Sequence, residues 1–574
     1  MTIDCSADEF FSQLRHIWSC SVACGTTLFK QYIFQIVFLN CRLKTVGYHT
    51  TIKLPSDNKD TAVVGFKKPP NVDNKSYVDI LDAEWQQALP YKAIPGLTRF
   101  QMWRGFMKGG DFANLSMNDL LLKCRERFGD IYRMPGIFGQ PPSIVLFNLT
   151  DFEKVYRTEG VWPVRPGGEI ILHYRSSRKD GFFNETMGLT AHGEDWGKFR
   201  HAVNPILMQP KNAKLYMEPM QKVNSEFIQR IRDIRDPVTL EVPDNFISDI
   251  NRLSFESVAV VALDHEFGLI RKNPDSKEAR LLFDSLTTFL NALYDFGVKP
   301  SLYKYIKTPS YRRFEKSMDT IFDITNRYAN EALARLERNP AKAGQERSVL
   351  EKLLKVDRKI AIIMAMDMLM AGVDTTSSAL TAILLCIAKS RQKQQKLREE
   401  LLKVLPHKDE HFTIENMKNL PYLRACIKEA LRIYPLAFGN MRETGADLAL
   451  SGYRVAKGTR VFMTSNMLLN EERFFPRAQE FIPERWLRQQ DEAMTESEQL
   501  MADNLNKFIY LPFGFGPRSC VGKRIVDLEM EITLSNVVRH FQIDFNYSTD
   551  NAFANHFLNV PQIPLKFKFT DLNY

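Results

Sequence analysis

One of the eight cysteines in this 574-residue chain stands in unusual company. Cys520 ends the run Phe513-Gly514-Phe515-Gly516-Pro517-Arg518-Ser519-Cys520-Val521-Gly522, and a helix-like stretch, Lys523 to Phe541, follows it. A cysteine delivered by a loop to a helix N-terminus is favoured as thiolate, because the helix dipole and the free N–H groups there stabilise negative charge. A lone thiolate cannot make a structural zinc site, which wants four ligands. It can serve as the axial ligand of haem iron, where it pushes electron density toward O–O cleavage. Gly514, Gly516 and Gly522 allow backbone to approach a flat macrocycle. Arg518 is placed to pair with a carboxylate on its rim. Without these neighbours, a buried structural cysteine would be the plainer reading.

The second chemical feature lies on a long apolar helix. The stretch from Ile360 to Ala388, bounded by Lys359 and Lys389, would span roughly 43 Å at 1.5 Å per residue. It is apolar on nearly every side, so it is either a membrane span or the central helix of a large protein. Asp367 and Asp374 sit inside it, and Asp374 is followed by Thr375, Thr376, Ser377 and Ser378. Each aspartate would cost about 3 kcal/mol at a bilayer centre. A buried central helix with a polar notch is therefore expected. On a later helix Glu429 and Arg432 are three apart and share a face, while Arg424 and Lys428 are four apart and project away from its apolar side.

Further helical patterns cover roughly 194–207, 211–233, 244–262, 277–296, 312–337, 391–404 and 421–433. Two alternating runs, Asp130 to Met134 and Ser143 to Phe147, read as a hairpin. Short strands return at 448–464 and 556–569. The expectation is a mainly α chain with a small β part, with its folded domain over 90–574 behind a polar linker, 56–89. The segment 1–55 is read as a mitochondrial transit peptide. From Phe10 to Ser56 it has no acidic residue and five spread basic ones, although Asp4, Asp8 and Glu9 depart from that composition. A net charge of +9 over the chain, with no block of like charges, does not point to nucleic acid. The cysteines form no CxxC pair and no zinc spacing, so a disulfide scaffold is not expected.

The cysteine run matches the FxxGxRxCxG signature of the cytochrome P450 superfamily, and four more of that family's signatures occur in its order. Ala371-Gly372-Val373-Asp374-Thr375-Thr376 is similar to the oxygen-activating motif. Glu429-Ala430-Leu431-Arg432 is its ExxR, Pro483-Glu484-Arg485-Trp486 resembles its PERF segment, and Trp196 and Arg200 reproduce the WxxxR spacing. The resemblance runs from about residue 90 to the end. It implies the cytochrome P450 fold, a large helical domain around haem plus a small β-sheet domain. The implied cofactor is haem b, iron protoporphyrin IX with an axial cysteine thiolate.

Within that resemblance Cys520 is the iron ligand. Trp196, Arg200, Arg442 and Arg518 hold the propionates, since guanidinium suits carboxylate. Ala371, Gly372, Phe513, Gly514 and Gly522 contact the cofactor, Gly372 by loosening the helix to leave room for O₂. Asp374 and Thr375 are the catalytic pair that delivers protons. Glu429, Arg432 and Arg485 form a structural network behind the cysteine loop.

A narrower likeness is carried by Gly129 to Gly136, Thr158 to Arg165, Met208 to Lys211, Arg235 to Pro237 and Glu241 to Pro243. These resemble the insect mitochondrial P450 family numbered twelve, which is associated with detoxification of foreign compounds. That implies an apolar organic substrate, peripheral contact with the matrix side of the inner mitochondrial membrane, and electrons from NADPH through a reductase and an adrenodoxin-type ferredoxin. The ferredoxin would dock on Arg424, Lys428, Lys523 and Arg524. Rival readings are an ecdysteroid-precursor hydroxylase, a microsomal enzyme and a catalytically silent haem protein.

Overall fold

The computed structural model describes residues 74–113, 115–136, 141–271, 276–298, 301–338, 346–408, 410–437, 439–487, 507–555 and 558–573. The expected transit peptide, 1–55, and the first part of the expected linker lie outside these residues. The last part of that linker is a helix, α1 (Asn74–Gln87), so the folded body starts before residue 90. This helix is polar because it lies on the surface. It is held there by Glu84 bonding Lys154 at 2.6 Å, and by Arg454 donating to the Trp85 and Gln86 carbonyls.

Helices α2 (Arg99–Phe106) and α3 (Met117–Phe128) lead to the expected hairpin, β1 (Ile131–Met134) and β2 (Ser143–Leu146), antiparallel with Ile131 opposite Leu146. Then come α4 (Leu149–Thr158), α5 (Glu169–Ser177) and α6 (Gly193–Leu207). The expected 211–233 helix is two pieces, α7 (Pro210–Lys214) and α8 (Met217–Ile234). After them stand α9 (Ile247–Leu263), α10 (Lys277–Val298), α11 (Pro309–Arg338) and α12 (Val349–Val356). The central helix is α13 (Arg358–Ala388), with Asp357 capping it by accepting from Ile360 N. It is long and apolar enough to cross a membrane by length and composition, yet 78% of its apolar window is buried inside the protein. Its all-round apolar character is explained by partners on every side, among them α9, α11, α12, α14 (Arg391–Val404) and α15 (Pro421–Ile433).

The remaining strands are β3 (Asn440–Glu443), β4 (Leu448–Leu450), β5 (Tyr453–Val455) and β6 (Arg460–Met463). After the cysteine loop come α16 (Lys523–His540), β7 (Phe541–Asp544), β8 (Phe553–Asn555), β9 (Asn559–Pro561) and β10 (Lys568–Asp571). One sheet has the order β1-β2-β6-β3, with β2 and β6 parallel, and three two-stranded ladders pair β10 with β7, β4 with β5 and β8 with β9. Two apolar cores follow this division. A large one joins the helices around α13, and a smaller one lies between the four-stranded sheet and α3, α4 and the segment before the cysteine loop. This is the expected mainly α arrangement with a minor β part.

Candidate active site

The cysteine loop is built by local hydrogen bonds that leave its end fixed. Gly514 N donates to Leu511 O, Ser519 N to Gly516 O, and Cys520 N to Phe513 O at 2.8 Å. Gly514 and Gly516 adopt φ of 72° and 67°, and a Cβ on Gly516 would stand 2.5 Å from a Glu159 carboxylate oxygen. Cys520 lies just before α16, whose N-terminal cap is Gly522.

Among the described cysteines Cys124, Cys386 and Cys426 are buried and Cys520 alone is exposed. Burial pushes the Cys124 thiol up to about 11. Burial raises Cys520 as well, but three groups oppose it: the Gly522 N–H, Arg200 and Arg165. An exposed side chain that still suffers desolvation faces inward, onto a hollow within the protein. Arg165 shows the same combination, exposed at its surface and lowered in basicity by burial first and by Arg442 next.

Exposed positions also occur on α13. Ala371 is exposed in the middle of this otherwise buried helix, and Met368, Asp374 and Thr375 are partly exposed. Positions 368, 371 and 375 follow the i, i+3, i+7 spacing of one helix face, so a single stripe lines a space. Thr375 Oγ1 donates to Ala371 O at 2.8 Å. Burial pushes the Asp374 carboxyl up to about 6. Gly372 has a packing part that its motif did not disclose. The helix is unbroken there, and a Cβ would lie 2.6 Å from Val258 Cγ2, so the glycine is required for close approach of α9.

Four arginines cluster about the cysteine loop. Arg200 on α6 donates to Ser519 O at 2.7 Å. Arg518 lies 3.8 Å from the Trp196 ring centroid. Its Nε, Nη1 and Nη2 donate to Pro163 O at 2.7 Å, Leu189 O at 3.3 Å and Ala191 O at 2.8 Å. Arg442 on β3 is fully buried and bonds Glu159 at 2.6 Å and Phe515 O at 3.3 Å. Arg165 is the fourth. Burial and mutual repulsion lower Arg518 to about 9, and burial lowers Arg200 to about 10. Glu159 is the acid paired within this cluster, and its Oε1, Arg200 Nε and His192 Nδ1 are buried without a hydrogen-bond partner. Four guanidiniums against one carboxylate, with Arg200 Nε left unpaired, beside an exposed cysteine fit a ligand that brings carboxylates, as protoporphyrin does. Sequence reasoning singled out neither Glu159 nor Arg165 as a site residue.

Behind the loop Glu429 is fully buried and accepts from Arg432 Nε and Nη2 (3.0 and 2.9 Å), Arg485 Nε (3.1 Å), Ile482 N (3.2 Å) and Trp486 Nε1 (2.9 Å). The structure thus brings Glu429, Arg432 and Arg485 together.

The expected basic patch is also gathered in one place. A groove of 660 Å³ is lined by Arg424, Lys428, Lys523 and Arg524, over apolar residues that include Ile427 and Phe513. Lys428 and Arg524 are exposed. Arg424 is not the free surface charge expected. It is half-buried, bonding Glu531 at 2.8 Å and the Met417 and Lys418 carbonyls. Lys523 pairs with Asp527 at 2.5 Å.

The cytochrome P450 family model matches residues 99–570, which is most of the chain. The chain belongs to the cytochrome P450 family. Members of this family carry haem on a cysteine thiolate and act as monooxygenases, and this P450 is such an oxidoreductase. It is 54% identical over 506 residues to "Probable cytochrome P450 12c1, mitochondrial" of Drosophila melanogaster, covering 88% of this chain and 96% of that one. It is 50% identical over 507 residues to "Cytochrome P450 CYP12A2" of Musca domestica, covering 87% and 94%. The likeness to the insect family numbered twelve is therefore shown. Among solved structures, the P450 fold is shared with a cytochrome P450 crystal structure at a TM-score of 0.65 and 21% identity, covering 85% of this chain and all of that one.

Proposed function

We propose that this P450 is a mitochondrial monooxygenase that oxidises apolar foreign compounds, with Cys520 as the iron ligand. The observation that carries the reading is the pairing of an exposed Cys520, in a loop clustered with arginines, with an exposed apolar stripe bearing one polar notch on the otherwise buried α13. Haem, when bound there, supplies the redox iron that activates O₂.

The chain's own residues do the rest. The Gly522 N–H and the guanidiniums of Arg200 and Arg165 favour thiolate at Cys520 Sγ. Arg165, Arg200, Arg442 and Arg518 take up the propionates as counter-ions, and Trp196 holds the Arg518 guanidinium flat. Asp374, half-protonated near pH 6, collects protons from outside. Thr375 Oγ1, which can release its bond to Ala371 O, passes them into the hollow. Met368 and Ala371 offer apolar contact to a substrate.

Mitochondrial residence rests on the names of the relatives. The groove at Lys428 and Arg524 is positive, open and adjacent to the cysteine loop, which suits an acidic ferredoxin carrying electrons from NADPH through its reductase. Leu302, Tyr305 and Ile306, exposed between α10 and α11 beside Lys304 and Lys307, suit peripheral contact with an anionic membrane surface.

The test is a spectral titration of the holoenzyme against two panels, foreign apolar compounds and ecdysteroid precursors. It is followed by product analysis with ferredoxin and reductase. Binding and oxidation of the foreign compounds supports the reading. Tight binding and oxidation confined to the steroid panel would replace it by steroid hydroxylation.

A further inference from the structure

Arg175 on α5 and Asp367 on α13 are joined in a buried ion pair, with side-chain exposures of 0% and 4%. No sequence motif singles them out. Removing two charges from water is costly, and such a pair persists where both partners have further hydrogen bonds. These bonds go to the same short strap, Met187 to Ala191, which leads into α6. Arg175 Nη1 donates to Met187 O at 2.5 Å and lies 3.5 Å from Thr190 Oγ1, and Leu189 N donates to Asp367 Oδ2 at 2.8 Å. Gly188, at φ 70°, packs so tightly on the pair that a Cβ would stand 2.6 Å from Arg175 Nη1, from Asp367 Oδ2 and from Ile363 Cγ2.

The other side of the strap faces Arg518. Two of its carbonyls, Leu189 O and Ala191 O, accept two of the three Arg518 hydrogen bonds. Leu189 is the joint, since its N–H is held by Asp367 and its carbonyl holds Arg518. A continuous set of charge-assisted bonds therefore runs from the central helix, through one residue of backbone, to the guanidinium two residues before Cys520. Asp367 is also seven residues, about two turns, before Asp374 and shares its side of α13.

We infer that Arg175 and Asp367 are positioning residues that clamp the 187–191 strap and thereby fix Arg518 for haem retention. The inference rests on the reading of the cysteine loop as the haem site. The pair's hydrogen bonds go to each other and to the strap, and none goes to the α13 stripe or to Cys520. The pair acts through the strap carbonyls alone, so its loss counts only while Arg518 is present to use them.

The test is the rate of haem transfer from the ferric holoenzyme to excess apomyoglobin. It compares the parent, Arg175→Gln with Asp367→Asn, Arg518→Lys, and the three changes combined. Changing both partners leaves no lone buried charge, so the double variant should fold. Gly188→Ala, which displaces the strap while keeping both charges, is a second route to the same loss. The double variant should release haem about tenfold faster, the scale of a lost charge-assisted hydrogen bond. In the Arg518→Lys background the same two changes should add little. Gly188→Ala should also accelerate release, and every variant should keep the thiolate-type carbon-monoxide band. Release at the parent's rate in the double variant overturns the proposal. So does an acceleration that multiplies undiminished on Arg518→Lys, which would show that the pair acts independently of that arginine. A parent protein lacking the thiolate band would instead fail the underlying reading of the cysteine loop.

Discussion

Two buried carboxylates, each beside arginines, differ in how their surroundings are completed. Glu429 uses both oxygens, accepting from Arg432, Arg485, Ile482 N and Trp486, and after burial the strongest influence on Arg485 is Glu429 itself. Glu159 bonds Arg442 through one oxygen, and its other oxygen has no partner. After burial, the strongest influence on nearby Arg518 is another arginine, Arg165, which opposes its charge. The first cluster is closed within the chain and serves the fold. The second is left incomplete, with several guanidiniums about one carboxylate and both Arg200 Nε and a Glu159 oxygen without a partner, as expected of a cluster that a ligand completes. A buried polar group left incomplete by the protein marks where something else belongs.

The sharpest way to break this comparison is to neutralise each acid. Glu429→Gln should lower stability by about 3–5 kcal/mol, the usual cost of removing one partner from a buried ion pair. Glu159→Gln should cost clearly less. Denaturant unfolding of the two variants decides it, and equal losses would erase the distinction.

Changes on the ligand-facing side should spare the fold and damage turnover. Asp374→Asn should slow turnover by roughly 10²–10⁴-fold with unchanged haem content. In the parent, turnover should fall as pH rises through about 6, because the protonated fraction of Asp374 drops there. The variant should lack that limb. Thr375→Ala should divert electrons to hydrogen peroxide at the expense of product, read as the ratio of product to NADPH consumed.

Arg165→Gln removes one cation from the open cluster. Haem transfer to apomyoglobin should quicken by about tenfold, while the unfolding midpoint of the ligand-free protein should not fall.

The smallest effect is expected at the proximal groove. Lys428→Glu with Arg524→Glu leaves the Arg424–Glu531 pair intact. It should weaken ferredoxin-supported turnover several-fold at low salt and flatten its salt dependence, with normal binding spectra. Unaltered turnover at low salt would remove this docking site.

What could be read from the sequence follows from the range of the interactions. Helices with a long continuous pattern were placed closely, as at 421–433, found as Pro421–Ile433, and 391–404, found as Arg391–Val404. The short helices α2, α4, α5 and α12 carry too few turns to show a period, and α1 was hidden by its polar surface. The motif residues were legible because their spacing is local. Glu159 and Arg442 are 283 residues apart, and Arg175 and Asp367 are 192 apart, so no spacing announces either pair. A faint signal existed in Asp367 itself, since a charge inside an all-apolar helix demands a partner. The packing role of Gly372 was not legible, because close approach by Val258 depends on which helix lies opposite, and its own helix does not disclose that.

The central claim is that Cys520 is the iron ligand, and the carbon-monoxide difference spectrum of the reduced protein tests it most directly. The parent should show the thiolate-type Soret band. Cys520→Ser should lose it, while Cys124→Ser, at a buried cysteine in the β-side core, should retain it. Persistence of the thiolate band in Cys520→Ser would contradict the account.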